Sequence, residues 1–333
     1  MEDAAPSRTA YACCVPVAET DRDAAGVAHT AADRAAADRA RATPTAALPA
    51  AIIDWFHNNA RDLPWRRPGF SAWGTLVSEF MLQQTPVARV IPPLTEWLER
   101  WPTPADLAAV PPGEAVRAWA SLGYPRRALW LHACAVAITE HHDGVVPSEV
   151  DALLALPGVG DYTARAVAVF AYGRRHPVVD TNVRRVIARA AEGQGEPAPP
   201  HARRDLAAMR ALLPRDDADA RAFNAGMMEL GAIVCTARTP RCDVCPLRNA
   251  CAWRAAGYPE YFGPRKAVQK RYEGSDRHVR GLIMRELRAA HRPVTDTEIA
   301  SLWADATQRN RALDGLLADG LAVPAQGGYV LPG

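Results

Sequence analysis

Four of the seven cysteines are close enough in the sequence to bind one metal centre. Cys235, Cys242, Cys245 and Cys251 have the spacing C-x6-C-x2-C-x5-C. A CxxC turn supplies two thiolate ligands, and the wider loops can bring the other two to the same centre. Four-cysteine zinc sites usually contain two CxxC pairs, whereas this segment has one. The spacing therefore favours a [4Fe-4S] cluster, with zinc as the alternative.

A second segment, LPGVG at residues 156–160, has the composition of a phosphate-binding turn. Gly158 and Gly160 leave backbone N–H groups uncovered, and the pattern predicts an apolar helix over 163–171 directly afterwards. Free N–H groups and a partial positive charge at a helix N-terminus can hold a phosphate without a charged side chain. Asp180 follows at the predicted start of the next helix, where a simple N-cap is an equally good interpretation.

The elements that must position these residues are predicted to be helices. Helical periodicity recurs from Leu48 onward, Pro or Gly marks most of the breaks, and strand patterns are nearly absent before residue 320. We therefore predict an all-α core, which an apolar fraction of 49% in 333 residues can fill. Only two of the 39 basic residues are lysines, Lys266 and Lys270, so a mechanism that needs a lysine amine has two candidates.

Composition also divides the chain into predicted parts. Residues 1–46 contain few large apolar side chains, and we expect them to be disordered. We place the core at 47–262 and a Pro- and Gly-rich linker at 263–275. Residues 276–333 have the pattern of three short helices and a hairpin, the outline of a winged helix-turn-helix. We recognise no membrane span or signal peptide, so we expect a cytoplasmic protein with no membrane partner.

Several motifs together resemble the helix-hairpin-helix base-excision DNA glycosylases that carry an iron–sulfur cluster. The motifs are the cysteine spacing, the LPGVG turn and the loop that carries Asp180, and the resemblance spans residues 48–262. SEFMLQQT at 78–85 is similar to the catalytic segment of the adenine DNA glycosylases, the MutY type, which remove adenine opposite 8-oxoguanine. LPWR at 63–66, LGY at 122–124 and the segment from Phe223 to Gly231 match the same branch.

The resemblance implies a helix-hairpin-helix glycosylase fold in which two helical parts flank a cleft. A six-helix part would cover about 68–177, and a cluster part would combine 47–67 with 178–262. It also implies roles for four residues. Glu79 matches a general acid that protonates adenine N7, and Asp180 matches the carboxylate that stabilises the oxocarbenium-like sugar. Asn182 matches a supporting hydrogen-bonding residue, and Tyr162 a hydroxyl near the sugar.

Tyr162 also bears on strand cleavage. The bifunctional relatives carry a Schiff-base lysine at this position, and residues 47–262 contain no lysine. We therefore expect a monofunctional enzyme that leaves an abasic site. For DNA, Gln84 and Tyr124 match residues that wedge into the base stack, and Arg66 matches one that lines the adenine pocket. The turn would contact the phosphates through Leu156, Gly158, Val159 and Gly160.

Two departures from the family pattern concern the pocket and the C-terminal region. Pro125 replaces the second tyrosine of a GYY segment, and Ala225 replaces a polar residue. About 60 residues stand where the family usually has a larger Nudix-like domain that reads 8-oxoguanine, and such shortened chains resemble an actinobacterial form.

We expect a monomer, associated with the bacterial nucleoid, that acts on double-stranded DNA with A·8-oxoguanine or A·G mispairs. The alternatives are a mismatch thymine or uracil glycosylase of the same superfamily, and a non-catalytic DNA-binding regulator with a zinc knuckle.

Overall fold

The described chain is a succession of α-helices followed by one small hairpin. A computed structural model describes residues 47–264 and 271–333. A first helix, α1, covers 47–59. The later elements are a 3-10 turn (Pro64–Arg66), α2 (Ala72–Leu82), α3 (Val87–Arg100), α4 (Pro104–Ala108), α5 (Pro112–Ala118), α6 (Arg126–His141), α7 (Val150–Leu154), α8 (Asp161–Phe170), α9 (Thr181–Ala190), α10 (Ala202–Leu212), α11 (Asp217–Ile233), α12 (Ala252–Ala255), α13 (Asp276–Ala289), α14 (Asp296–Leu302), α15 (Ala306–Ala318), β1 (Val323–Ala325) and β2 (Gly328–Val330). The predicted all-α fold is confirmed, because this hairpin is the only sheet in the described ranges.

The first apolar core surrounds α2. Every residue of this helix from Trp73 to Met81 is buried, and the side chain of the N-cap Ser71 accepts a hydrogen bond from the backbone N–H of Gly74. Helices α3, α6 and α8 contribute residues to the same core, among them Trp97, Leu131 and Val167. An α-helix that is apolar on all sides must be covered on all sides, so α2 lies in the centre of this part.

The second core is formed by α1, α9, α10 and α11, which are far apart in the sequence. Its buried residues include Ile52, Val183, Met209 and Phe223. Gly226 permits α11 to lie against α1, because a Cβ atom there would come within 2.6 Å of an Ile52 methyl group. The chain passes from the first core to the second between α8 and α9, and Asp180 follows this crossing.

Of the C-terminal helices, α13 packs against α5, and α14 and α15 pack against α13. The backbone N–H of Gly113 donates to the carbonyl of Pro332 at 2.8 Å, and Arg288 Nε donates to the carbonyl of Val116 at 3.2 Å. β1 and β2 are antiparallel, with Val323 opposite Val330. These are the three helices and hairpin that the sequence pattern predicted, although the domain boundaries themselves stay a prediction.

Two predictions fall outside the described residues, and one helix is shorter than expected. The expected disorder of 1–46 and both lysines of the linker cannot be compared with the structure. The pattern predicts that the helix containing Glu79 continues to Gln84, whereas α2 ends at Leu82 because Gln84 has a backbone φ of 55°. Within the described ranges, no helix has the length and apolar character needed to cross a membrane.

Candidate active site

Glu79 lies on α2 at the wall of a cleft of about 780 Å³. Only 6% of the residue is exposed, although α2 otherwise presents almost entirely apolar side chains to its neighbours. Phe56, Trp65, Arg66 and Met228 line the same cleft. The cleft is therefore bordered by residues of both helical parts, and a carboxyl group is placed in a largely apolar wall.

The LPGVG turn joins α7 to α8 and brings Tyr162 to Glu79. Gly158 has a φ of +74°, and a Cβ atom there would lie 2.6 Å from the Cβ of Trp130, so only glycine fits. Leu156 and Val159 are buried, which leaves their backbones as the part that can meet a phosphate. Gly160 is the N-cap of α8, has no side chain to cap it, and has open space beside it. The structure thus keeps the N-terminus of α8 accessible, as the sequence predicts.

The hydroxyl of Tyr162, in the first turn of α8, donates a hydrogen bond to the carboxylate of Glu79. Burial is the main cause that raises the pKa of Glu79 to about 7; the Tyr162 hydrogen bond opposes this rise and the negative charge of Asp180 adds to it. Burial and the two neighbouring carboxylates also hold the pKa of Tyr162 well above its usual value. At neutral pH, Glu79 is therefore close to half protonated, as a general acid requires.

Asp180 is the N-cap of α9, and both of its carboxylate oxygens are bound. Oδ1 accepts from the backbone N–H of Val183 at 2.7 Å, and Oδ2 accepts from Asn182 Nδ2 at 2.7 Å. Burial raises the pKa of Asp180, while the hydrogen bonds from Val183 and Asn182 and the charge of Arg185 lower it. The structure therefore brings together four of the predicted site residues, Glu79, Tyr162, Asp180 and Asn182, with hydrogen bonds that favour the ionised form of Asp180.

Arg185, which the sequence analysis did not single out, connects this site to the cysteine segment. Its Nη2 donates to Asn182 Oδ1 at 2.8 Å and to the carbonyl of Gly231 at 2.7 Å, and its Nε donates to the carbonyl of Cys235 at 2.7 Å. Gly231 is needed at this point, because a Cβ atom would lie 2.6 Å from the Cβ of Asn182. One guanidinium thus joins the start of α9, the end of α11 and the first cysteine.

A second residue that the sequence left without a role is Asn224, which has no exposed surface. Its side-chain oxygen accepts from the backbone N–H of Val178 at 2.8 Å, and its Nδ2 donates to the carbonyl of His176 at 3.1 Å. These bonds fix the irregular segment that leads from α8 to Asp180. Only the match of Phe223 and Asn224 to a family segment could have indicated it.

Arg66 borders the cleft but is also part of an ion-pair network. Its Nη2 donates to Glu229 Oε2 at 2.9 Å, and its guanidinium lies 5.1 Å from the ring centre of Phe56. Arg61 binds the same carboxylate through three hydrogen bonds, two from its guanidinium at 2.7 and 2.8 Å and one from its backbone N–H at 3.1 Å. Although burial alone would raise the pKa of Glu229, the hydrogen bonds from Arg61 and Arg66 bring it to about 2. Arg66 is therefore held in a fixed orientation at the edge of the cleft.

Gln84 and Tyr124, the predicted wedge residues, have backbones in the left-handed region. Their φ values are 55° and 46°, and Tyr124 is 47% exposed. A non-glycine residue in this region costs about 1–3 kcal/mol and is kept only where its surroundings hold it. Both side chains are exposed at the protein surface.

The four cysteines, Cys235, Cys242, Cys245 and Cys251, line one cavity, and none of the four forms a disulfide. Among the described residues, no three Cys, His, Asp or Glu side chains converge as the ligands of a single metal ion would. Arg189 is buried beside the cavity and approaches Cys235 Sγ at 3.5 Å through Nη1. Arg241, Arg248 and Arg254 also line it. Four thiol donors with nearby guanidinium groups fit a cluster that carries negative charge.

Comparisons with known proteins agree with this geometry. A family model described as HhH-GPD superfamily base excision DNA repair protein matches residues 77–210, and one described as the iron-sulfur binding domain of endonuclease III matches 235–251. The second match begins and ends on cysteines of the predicted ligand set. The predicted [4Fe-4S] cluster is therefore confirmed in preference to zinc.

Individual relatives were also found. An adenine DNA glycosylase of Mycolicibacterium smegmatis is 54% identical over 284 residues, which are 85% of this chain and 95% of that protein. A thymine/uracil-DNA glycosylase of Pyrobaculum aerophilum is 38% identical over 202 residues, which are 60% of this chain and 87% of that protein. The solved structure of a thermostable thymine-DNA glycosylase has a TM-score of 0.59 and 26% identity, and covers 65% of this chain and 99% of its own. The level of identity and the almost complete coverage of the mycobacterial relative decide the branch: this chain belongs to the adenine DNA glycosylases of the HhH-GPD superfamily.

Proposed function

We propose that the protein is a monofunctional adenine DNA glycosylase that removes adenine from A·8-oxoguanine and A·G mispairs. The observation that carries this proposal is the buried carboxyl of Glu79, with a pKa of about 7, beside the carboxylate of Asp180. One protonated and one ionised carboxyl group suit general-acid cleavage of a glycosidic bond, and the hydrogen bonds from Val183 and Asn182 favour the ionised form of Asp180. We further propose that it acts as a monomer in the bacterial cytoplasm.

In the proposed reaction, the adenine is first turned out of the duplex into the cleft, at a cost of a few kcal/mol. Glu79 gives its proton to N7 as the bond between N9 and C1′ breaks, and the bonding electrons leave with the base. The carboxylate of Asp180 stabilises the positive charge that develops on the sugar. Water then adds its oxygen to C1′, and its proton returns to Glu79. The products are adenine and an abasic site.

The cluster has a structural part in this proposal. When bound, it supplies a rigid centre that ties the ends of segment 235–251 together. The chain's own residues do the rest: Arg185 holds the carbonyl of Cys235 and orients Asn182, and Asn182 orients Asp180.

The strongest rival is thymine or uracil removal, because a relative and a similar structure carry those names. Pyrimidines have no N7, so a buried acid with a pKa near neutrality offers them less advantage than it offers adenine. Tyr162, in the position where lysine acts in the strand-cutting relatives, supports base removal without strand cleavage.

The test is a single-turnover assay of the full chain with its cluster on duplexes with A·8-oxoguanine, A·G, T·G or U·G, each developed with and without alkali. We expect cleavage of the first two duplexes, and only after alkali. Release of thymine or uracil without adenine release would reject the proposal, and strand breaks before alkali would reject its monofunctional part. Glu140→Gln, which changes an exposed glutamate that does not line the cleft, is the matched control for variants of Glu79.

A further inference from the structure

Arg127, near the start of α6, is a buried arginine that lies between the two segments that carry the wedge residues. Only 3% of it is exposed. Its Nη1 donates to the carbonyls of Gln83 at 2.6 Å and Phe80 at 2.7 Å. Its Nη2 donates to the carbonyl of Gly123 at 3.0 Å and to Thr85 Oγ1 at 3.3 Å. One guanidinium therefore joins the end of α2 to the loop before α6.

The carbonyls that Arg127 binds are those directly before the strained residues. Gln83 precedes Gln84, and Gly123 precedes Tyr124, the two predicted wedge residues with positive φ. Such backbones persist only where the surrounding contacts fix them. The bonds to Gln83 and Gly123 are contacts of this kind, and they fix the positions of Gln84 and Tyr124 relative to one another.

The site needs a guanidinium and not merely a positive charge. The last carbonyls of α2 have no partner within the helix and form its negative end, which favours a cation. Arg127 also lies 5.2 Å from the ring centre of Trp119 and 5.6 Å from that of Tyr124, where a planar group can stack. A lysine ammonium is compact and not planar, so it cannot reproduce the separate Nη1 and Nη2 bonds and also stack on these rings. Burial lowers the pKa of Arg127 to about 10, which keeps it charged at neutral pH.

Thr85 reinforces the same connection from the other loop. Its hydroxyl lies 3.2 Å from the carbonyl of Leu122 and 3.3 Å from that of Gln83, and it also accepts from Arg127. Trp119 Nε1 donates to the carbonyl of Gly123 at 3.0 Å. The loops are thus held by a buried network with Arg127 at its centre.

We propose that Arg127 is a positioning residue that holds Gln84 and Tyr124 in the arrangement needed to open the base stack. This inference rests on the proposed function. Its content is that base extrusion depends on Arg127, whereas cleavage of the glycosidic bond by Glu79 and Asp180 does not.

The test compares Arg127→Lys with the unchanged protein on two duplexes. One contains adenine opposite 8-oxoguanine, and the other contains adenine opposite an abasic-site analogue, where no pairing has to be broken. Excision is measured in single turnover, and extrusion is followed by the fluorescence of 2-aminopurine beside the target base. We expect a loss of roughly 10- to 100-fold in excision of the paired adenine, matched by slower extrusion, because unpairing and unstacking contribute to the barrier for this substrate. On the unpaired adenine, the loss should stay below about threefold.

Controls separate a positioning role from a loss of folding. Arg117→Lys alters another partly buried arginine that donates to a backbone carbonyl, at 3.2 Å from Ala290, but away from both loops. It should leave both substrates unaffected. In a Gln84→Ala, Tyr124→Ala background, adding Arg127→Lys should cause little further loss. If Arg127→Lys does not fold, Thr85→Val should show a smaller loss with the same preference for the paired substrate.

Equal losses on the two duplexes, or no loss on the paired one, would overturn the inference. A failure of the proposed function looks different: in that case the unchanged protein releases adenine from neither duplex.

Discussion

Asn182 holds the carboxylate of Asp180 through one hydrogen bond of 2.7 Å, from Nδ2 to Oδ2. The amide of Asn182 cannot turn over freely, because its oxygen accepts a bond of 2.8 Å from Arg185. With Val183 bound to Oδ1, both oxygens of Asp180 receive donors that favour the ionised form. Neighbours on its own helix therefore orient this carboxylate and oppose the rise in its pKa that burial causes.

Replacing Asn182 should move the acid side of the pH profile. Asn182→Ala removes the Nδ2 donor, so the pKa of Asp180 should rise and the enzyme should need a higher pH to ionise it. We expect the rising limb of the single-turnover rate to shift to higher pH, with a lower maximum. Asn58→Ala, at an exposed helix position, is the control and should leave the limb unchanged. An unmoved limb in Asn182→Ala would show that this bond does not set the ionisation of Asp180.

Replacing Tyr162 should shift the falling, alkaline limb of the pH profile to higher pH. The Tyr162 hydrogen bond lowers the pKa of Glu79, which burial raises to about 7. Tyr162→Phe should therefore keep Glu79 protonated to a higher pH, and the falling limb should begin later. Tyr172→Phe removes a hydroxyl that binds a backbone carbonyl elsewhere, and serves as the control. A falling limb that moves to lower pH would contradict the arrangement.

Ionisation of Glu79 should also lower the free energy of unfolding at alkaline pH. Its pKa in the folded protein is raised from 4.5 to about 7, so the folded state binds the proton more tightly than the unfolded state. The resulting stabilisation is complete below pH 4.5 and is lost as the pH rises through about 7. The unfolding free energy of Glu79→Gln, relative to that of the unchanged protein, should therefore increase by on the order of 3 kcal/mol between pH 4.5 and about pH 7. Urea unfolding at pH 5 and pH 8.5 measures this, and an equal difference at both values would refute it.

Replacing Arg185 should lower the excision rate without loss of the cluster. Arg185→Met loses the bonds to Asn182 and to the carbonyl of Cys235, but it changes no cysteine. We expect the iron content and the visible absorbance per chain to stay unchanged, while the excision rate falls by about 10-fold or more. Arg248→Met, which also lines the cysteine cavity, is the control. An unchanged excision rate in Arg185→Met would show that the hydrogen bonds from Arg185 to Asn182 and to the carbonyl of Cys235 do not affect excision.

The sequence predicts the parts of the site that are formed by residues close together in the chain. The cysteine spacing predicts the cluster, and the iron–sulfur domain match at 235–251 confirms it. The glycines of the LPGVG turn predict a tight turn, and the φ of +74° at Gly158 is the conformation that only glycine adopts easily.

Arg127, Arg185 and Asn224 could not be found in this way. Their hydrogen bonds join residues about 40–50 positions apart, for example Arg185 to Cys235 and Arg127 to Gln83. A pattern of helical periodicity identifies a buried face, but it gives no partner for a polar side chain on that face. The end of α2 differs from the prediction for a related reason: the helical pattern continues to Gln84, whereas the backbone of Gln84 is left-handed and follows the carbonyl of Gln83 that Arg127 binds.

The most direct measurement compares Glu79→Gln with the unchanged protein on a duplex that contains A·8-oxoguanine. Both the affinity for the duplex and the single-turnover rate of adenine release are determined, with Glu140→Gln beside them. We expect the affinity to change by no more than about threefold and the rate to fall by at least about 100-fold, as for the loss of a general acid. A rate within about tenfold of the unchanged protein would contradict the assignment of Glu79 as the proton donor.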